Sequence, residues 1–282
     1  MPTRWILPLI GLSALLFSAA TYEAPAPGAC TPDQAVCVDA RRLGERIELW
    51  ASSRRPCAMT LTLDLQVAGV PGRERSTVVL PAQGSTRLLV REAEREGRDL
   101  DYLFSFHCQC GKAGAVPDPA YLYGIPLAIG QVARISQGFH GAFSHHDPAN
   151  EYAVDFDVPE GTPVYAAREG TVVDVIERFE RGGLAEAEDA ANVVRILHAD
   201  GTVAEYAHLK HDGAIVTTGQ LVEKGDLIAY SGNTGRTTGP HLHFAVHVPV
   251  DGLYRRSVPV RFLTDDPAVH ELAQGKEYRR AQ

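Results

Sequence analysis

Near the C-terminus of the 282-residue chain, the string SGNTGRTTGPHLHFAVHV places His241 and His243 two positions apart. In a strand, residues i and i+2 project from one face, so two imidazoles at that spacing can converge on one metal ion. Upstream, EYAVDFDV alternates Tyr152, Val154 and Phe156 with Ala153, Asp155 and Asp157, which turns Asp155 away from the apolar side and frees it to act as a ligand. His145 and His146 stand in the loop FSHHDPANE ahead of that strand. His208 ends the run TVAEYAHL, with Tyr206 two positions earlier on the same expected face. His247 continues the spacing of His241 and His243 and is a candidate to support them from behind. Imidazoles and a carboxylate without nearby cysteine suit an open zinc site, in which three protein ligands leave one position free and a neighbouring base handles a proton.

These residues need elements to position them. A composition of 45% hydrophobic and 22% charged residues, with 26 Gly and 18 Pro, predicts a mainly β chain of short strands punctuated by turns. At roughly 150 residues per domain the length suggests two domains. Cys30, Cys37, Cys57, Cys108 and Cys110 all precede residue 111, whereas ten of the eleven histidines fall between His140 and His270, so the two halves do different work. The net charge is −8, and the excess is C-terminal: residues 1–125 balance 13 basic against 13 acidic groups, while 126–282 hold 14 and 22. That balance speaks against a general grip on nucleic-acid phosphates.

In CAMTLTLDLQV and DYLFSFHCQC strict alternation predicts half-buried antiparallel strands, with Cys57 facing Cys108 or Cys110. A bridge between those strands and another from Cys30 to Cys37 are expected, with one thiol left over. Residues 38–115 then form a small β-sandwich-like domain, 116–127 a linker, and 128–282 a second β-rich domain. Within the latter, Asp200-Gly201 signals a tight hairpin, 181–190 a surface excursion, and 265–275 a helix.

The strings FSHH, DFDVPEGTPVYAAREGTVV, YAHL and SGNTGRTTGPHLHF, in that order over roughly residues 126–262, resemble the lysostaphin/LytM-type zinc endopeptidases, bacterial cell-wall peptidases with a compact β-rich catalytic domain. The resemblance implies one Zn2+ per catalytic domain, held by His145, Asp155 and His243, with His208 and His241 as catalytic histidines that do not bind the metal. His208 would take a proton from water, and His241 would steady the oxyanion or reprotonate the leaving amine. Two departures stand out. The family's usual His-x3-Asp spacing is stretched, with Asp155 ten positions from His145 and nine from His146, so His146 stays open as the first ligand. Ala245 replaces the Glu that many relatives carry after H-L-H-F.

The implied substrate is the peptide part of peptidoglycan, cut in a stem peptide or cross-bridge. The rival from another class is a non-catalytic scaffold that activates a cell-wall amidase; such relatives have typically lost metal ligands that this chain keeps. PEGTPVYAAREGTVV and EKGDLIAYSG also resemble the hairpins of lipoyl and biotinyl carriers, but Lys224 is the lone lysine near such a turn and that reading leaves the histidines unexplained.

Residues 1–20, MPTRWILPLIGLSALLFSAA, have the form of a secretory signal peptide: Arg4, an apolar stretch from 5 to 17, then small Ser18 and Ala20. The apolar stretch is shorter than the ~20 residues that span a bilayer, so cleavage without a stable membrane anchor is expected, giving a periplasmic or extracellular protein. Such a compartment permits the disulfides. Residues 21–37 follow as an extended Pro/Ala-rich leader.

Overall fold

The computed structural model describes residues 22–25, 28–43, 46–68, 70–92, 101–186 and 190–281. The expected signal peptide, 1–20, lies outside the described residues. The chain is mainly β, as its composition implies, and no α-helix occurs among the described residues. No helix among them is long and apolar enough to cross a membrane.

The N-terminal half runs β1 (Tyr22–Pro25), β2 (Gly28–Cys30), β3 (Val36–Leu43), β4 (Arg46–Ser53), β5 (Met59–Val67), β6 (Glu74–Leu80), β7 (Ser85–Glu92) and β8 (Tyr102–Cys110). They make two four-stranded antiparallel sheets, ordered β1-β8-β5-β6 and β2-β3-β4-β7. Alternation places Leu61, Leu63, Phe104 and Phe106 in one core with Val38 and Leu49 from the other sheet. Of the leader expected over 21–37, residues 22–25, 28–30 and 36–37 are instead strands of these sheets. β1 pairs with β8, and β2 pairs with β3 so that Cys30 sits directly opposite Cys37. An extended segment beside a sheet edge finds partners there for its backbone N–H and C=O groups, which is why it does not remain a tether.

Disulfides join Cys30 to Cys37 and Cys57 to Cys110. Cys108 is the free thiol, half-buried, and burial pushes it up to about 12.

The second half runs β9 (Leu122–Gly124), β10 (Val132–Gln137), β11 (Val154–Asp157), β12 (Pro163–Tyr165), β13 (Gly170–Ile176), β14 (Val193–Leu197), β15 (Val203–Ala207), β16 (Leu209–Ala214), β17 (Leu221–Val222), β18 (Leu227–Ser231), β19 (Leu242–Pro249), β20 (Arg255–Ser257), β21 (Arg261–Leu263) and β22 (Glu277–Arg279). Nine of these strands form one sheet, ordered β17-β13-β14-β15-β19-β11-β10-β22 with β20 beside β19. One face of it carries Phe156, Ile196, Tyr206 and Phe244 into a core closed by β12 and β18 through Val164 and Ile228. The other face bears Asp155, His243, Glu205 and Arg195, and this is where the site lies.

The Asp200-Gly201 hairpin joins β14 to β15, with Gly201 at φ 87° and Asp200 Oδ1 accepting the Thr202 amide and hydroxyl. Arg168 clamps this turn to the linker. Its guanidinium donates to Asp200 at 2.6 Å and to the Tyr123 hydroxyl at 3.0 Å, and lies 4.2 Å from the centre of the Tyr121 ring. Burial would raise the Asp200 carboxyl, but the Thr202 bonds and Arg168 hold it at about 2. Lys224 donates to Leu122 O in the same linker.

The helix expected over 265–275 does not form. Thr264 Oγ1 accepts the Asp266 amide and donates to carbonyls of Asp266 and Val269, Asp266 Oδ1 accepts the Ala268 amide, and Leu272 is driven into the core. Local side-chain bonds to the backbone outcompete a short helix there, and Pro267 supplies no N–H.

The two halves share packing. Val173 and Val203 of the nine-stranded sheet join the sandwich core. Gln109 Nε2 donates to the carbonyls of Asp251 and Tyr254, and the Gly252 amide donates to Thr62 Oγ1 at 2.8 Å. Gly252 is pressed so closely that a Cβ there would lie 2.1 Å from His107 O and 2.6 Å from Thr62 N.

Two measurements test this packing. Gly252→Ala is expected to destabilise the protein by about 1–3 kcal/mol in denaturant unfolding, since backbone on both sides must shift. Burial pushes the His198 ring down to about 4, with its Nδ1–H committed to Glu169 O at 2.7 Å. An unfolded histidine titrates near 6.5, so between about 6.5 and 4 the unfolded chain binds a proton that the folded state refuses, and stability falls on acidification. In His198→Gln, the curve of unfolding free energy against pH should be flatter over that window than in the wild type.

Candidate active site

β11 lies between β10 and β19, and sheet register sets Asp155 directly opposite His243. Because side chains alternate, Val154 and Phe156 enter the core while Asp155 faces the other way. His243 Nδ1 lies 2.9 Å from Asp155 Oδ1. The loop between β10 and β11 folds back over the strand and buries His145 completely, its Nε2 3.3 Å from the same oxygen. His145 Nδ1–H donates to Gly138 O at 2.9 Å, which commits the proton to Nδ1 and turns the Nε2 lone pair inward. One donor atom each from His145, Asp155 and His243 lies within 4.8 Å of the others.

Burial would raise the Asp155 carboxyl, but the His145 and His243 rings beside it hold it well below the usual carboxylate range. His145 Nε2 is buried and completes no directed hydrogen bond. An inward-facing lone pair of that kind is costly without a partner. Two imidazoles and a carboxylate are a zinc donor set, and zinc bonds of ~2.0–2.1 Å at tetrahedral angles separate their donors by roughly 3.3 Å. The residues present fit Zn2+.

Two further histidines flank the cluster. His208 follows β15 in the left-handed region at φ 59°, which breaks the strand alternation. Its ring therefore leaves the side taken by Tyr206 and comes to 4.5 Å from His241 and 5.9 Å from His243, centre to centre. His208 Nδ1–H donates to Thr234 O at 2.7 Å and His241 Nδ1–H to Gly239 O at 2.8 Å, leaving each Nε2 unprotonated. His241 Nε2 stands 3.9 Å from Asp155 Oδ1. Burial first, then the neighbouring His241 and His243, push His208 down to about 3.

The carbonyls that orient these rings belong to the loop 232–241, itself pinned from behind. Thr234 Oγ1 accepts the Asn192 amide and donates to Leu209 O, and Gly182 bridges to Gly235. Gly235 sits at φ 75° with Ala191 so close that a Cβ would come within 2.7 Å. Within the excursion expected over 181–190, residues 181–183 thus brace the loop.

A cavity of about 1180 Å3 opens over the cluster. His146, Asp155, His208, His241 and His243 line one end, and Cys108 of the sandwich lines the other. Between them runs a ladder of charges: Arg195 pairs with Asp174 and Glu205, each at 2.5 Å, and Arg255 reaches Glu205 at 2.9 Å.

Of the residues singled out in the sequence, His145, Asp155, His208, His241 and His243 meet in one place. His146 is exposed on the cavity wall and stands outside the three-residue cluster. Tyr206 does not reach the site: it is wholly buried in the core on the opposite face, its hydroxyl accepting the Ala167 amide and its ring 5.1 Å from Phe244. His247 is buried and bonds Ala149 O, so it steadies the loop that carries His145. Sequence reasoning missed Gln137, whose Nε2 donates to Asp155 Oδ2 at 2.9 Å, and Asn192. No spacing signal points to either.

A family model described as Peptidase family M23 matches residues 149–256. An uncharacterized metalloprotease of Haemophilus influenzae is 43% identical over 95 residues, which is 34% of this chain and 18% of that protein. The peptidoglycan DD-endopeptidase ShyB of Vibrio cholerae is 37% identical over 128 residues, 44% of this chain and 27% of that protein. The matched stretch covers less than a third of either relative. Among solved structures, the catalytic domain of the antimicrobial peptidase lysostaphin from Staphylococcus simulans aligns with a TM-score of 0.32 and 26% identity, over 45% of this chain and 88% of that one.

The geometry separates the two neighbouring histidines of the loop. In zinc titration against a chromophoric chelator, His145→Ala should lose on the order of 100-fold or more in affinity, because it removes one of the three clustered donors. His146→Ala should bind one Zn2+ with the affinity of the wild type.

Proposed function

Residues 149–256 belong to peptidase family M23, and from that premise we propose that the chain is an exported zinc metalloendopeptidase that hydrolyses peptide bonds in the stem peptide or cross-bridge of bacterial peptidoglycan. Its catalytic unit is residues 128–282, and its ligands are His145, Asp155 and His243. The observation that carries the reading is the convergence of these three donors with two further histidines whose Nδ1 atoms are both tied to backbone carbonyls. A structural zinc site would have no use for the extra pair.

Bound there, Zn2+ would supply Lewis acidity, polarising a peptide carbonyl and acidifying water. The chain's own residues do the rest. His208 enters the reaction neutral, since its ring is held at about 3. Its Nδ1–H is tied to Thr234 O, so Nε2 is the atom that accepts the proton of the attacking water. The same low basicity makes His208 give that proton up readily for the next turnover. His241 lies 4.5 Å away, ring centre to ring centre. The proton that His208 takes from water passes to the leaving amine, and His241, receiving it on Nε2, would be the group that hands it on. The sheet floor and the cavity walls orient the peptide and limit the water that reaches it.

The test is muropeptide release from purified peptidoglycan by the mature protein, with added zinc and again with chelator. Chelator-sensitive appearance of new peptide ends is expected, and the ends identify the bond. His208→Ala should keep its zinc while losing about 10²- to 10⁴-fold in turnover, the usual worth of a positioned base. Absence of release from several wall types by folded, zinc-loaded protein would overturn the enzyme reading in favour of the amidase-activating scaffold.

A further inference from the structure

Asp155 has two carboxylate oxygens, and the surrounding imidazoles approach only one. His243 Nδ1, His145 Nε2 and His241 Nε2 lie 2.9, 3.3 and 3.9 Å from Oδ1. Oδ2 receives a hydrogen bond from Gln137 Nε2 at 2.9 Å. The second hydrogen of that nitrogen goes to Ser144 Oγ at 2.8 Å, and Gln137 Oε1 accepts the Ser144 amide at 3.2 Å. Turning the amide over would set Oε1 against the carboxylate, two acceptors in contact, so the network admits one orientation.

A β-bulge delivers this side chain. β10 pairs with β11 so that Ile135 opposes Phe156, and a regular ladder would then set Ser136 opposite Asp155. The register slips by one at Ser136, and Gln137 takes that place, on the face of Asp155 instead of in the core. Bulges beside active sites commonly re-aim a side chain in this way. Gln137 itself is buried, with 9% of its surface exposed, so the polar contacts are made away from bulk water.

Resting on the zinc reading above, we propose that Gln137 is the positioning residue of the metal site, engaging Asp155 Oδ2 so that the carboxylate offers the ion Oδ1 alone. A carboxylate binding through both oxygens would take up coordination space that a catalytic zinc must leave open for reaction. A neutral amide blocks the second oxygen without adding a charge that would compete with or repel the cation. Gln137 Oε1 also accepts the backbone amide of Ser144, the residue next to His145, so the same side chain touches the loop that carries a second ligand.

The experiment uses the mature full chain. Gln137→Leu and Gln137→Met remove the amide at similar volume, the unbranched Met guarding against a variant that fails to fold. Zinc affinity is read by chelator competition, coordination by the visible spectrum of the Co2+-loaded protein, and stability by thermal unfolding of the metal-free protein. Loss of the amide should weaken zinc about 10- to 100-fold, as removal of partners behind metal ligands does, and change the Co2+ spectrum. Ser144→Ala, which spares the bond to Asp155, should stay within about threefold of the wild type. Wild-type affinity and an unchanged Co2+ spectrum in both Gln137 variants would overturn the proposal. Failure of the wild type to bind either metal would instead overturn the zinc reading on which it rests.

Discussion

Asp155 is a carboxylate with 4% of its surface exposed, and its ionisation is the constraint around which the second domain is arranged. Taking a carboxylate out of water costs several kcal/mol unless opposite charge and hydrogen bonds replace the lost hydration. Here the replacement comes from the strands on either side. β11 has β10 on one flank and β19 on the other, and register aligns Gln137, Asp155, His243 and Ala207 in a single row across four strands. Oδ2 is satisfied from one flank and Oδ1 from the other. The loop carrying His145 then closes the remaining side. A one-residue slip in either pairing would send one of these side chains into the apolar core and leave the carboxylate unpaired.

Around that fixed row, proton positions are set by backbone and not by side chains. His145, His208 and His241 each spend Nδ1–H on a carbonyl, of Gly138, Thr234 and Gly239 respectively. A carbonyl can only accept, so each bond dictates the tautomer and leaves Nε2 as a lone pair. The arrangement explains the glycine-rich string before His241. A loop must bring two of its own carbonyls within hydrogen-bond reach of two rings while passing close behind Ala191, and the positive φ of Gly235 is what allows the approach. The result is a site whose three inward-facing Nε2 atoms are in place without any rearrangement of protons.

Much of this was legible in the residues because a strand has period two. The parity of Asp155 against Val154 and Phe156, and of His241 against His243, is enough to put these side chains on one face. Where parity was locally broken, legibility ended. Tyr206 and His208 share parity but not direction, because His208 adopts a left-handed backbone at the strand end. Gln137 reaches Asp155 through a register slip, which leaves no mark in hydrophobic alternation. Within 21–37 the cause is different: an extended chain with few strand formers joins a sheet when an edge with free backbone groups is nearby, and for 22–25 that edge is supplied by residues far along the chain. The tail 265–275 shows the converse, where short-range bonds from Thr264 and Asp266 defeat a weak helical pattern.

A sheet with one face in the core must account for its other face, and here that face is shared. His243 and Asp155 occupy one end and Val173 and Val203, packed into the sandwich, the other. Between them Asp174, Arg195, Glu205 and Arg255 pair across strands in alternating sign. Glu205 stands in register opposite the small Ala245 of β19. With alanine there, the carboxylate in this row comes from the neighbouring strand, and Arg255 reaches it from β20. Burial would raise Glu205, but Arg195 and Arg255 hold it well below the usual carboxylate range, so removing both arginines would leave a buried charge uncompensated. The same β19 that presents His243 continues to Pro249 and into the turn where Gly252 is wedged against β5 and β8. A close-packed backbone contact of that kind does not slide. The sandwich is therefore packed against the strand that bears His243, and Cys108 lines the same cavity, so the N-terminal half is part of the wall of the site.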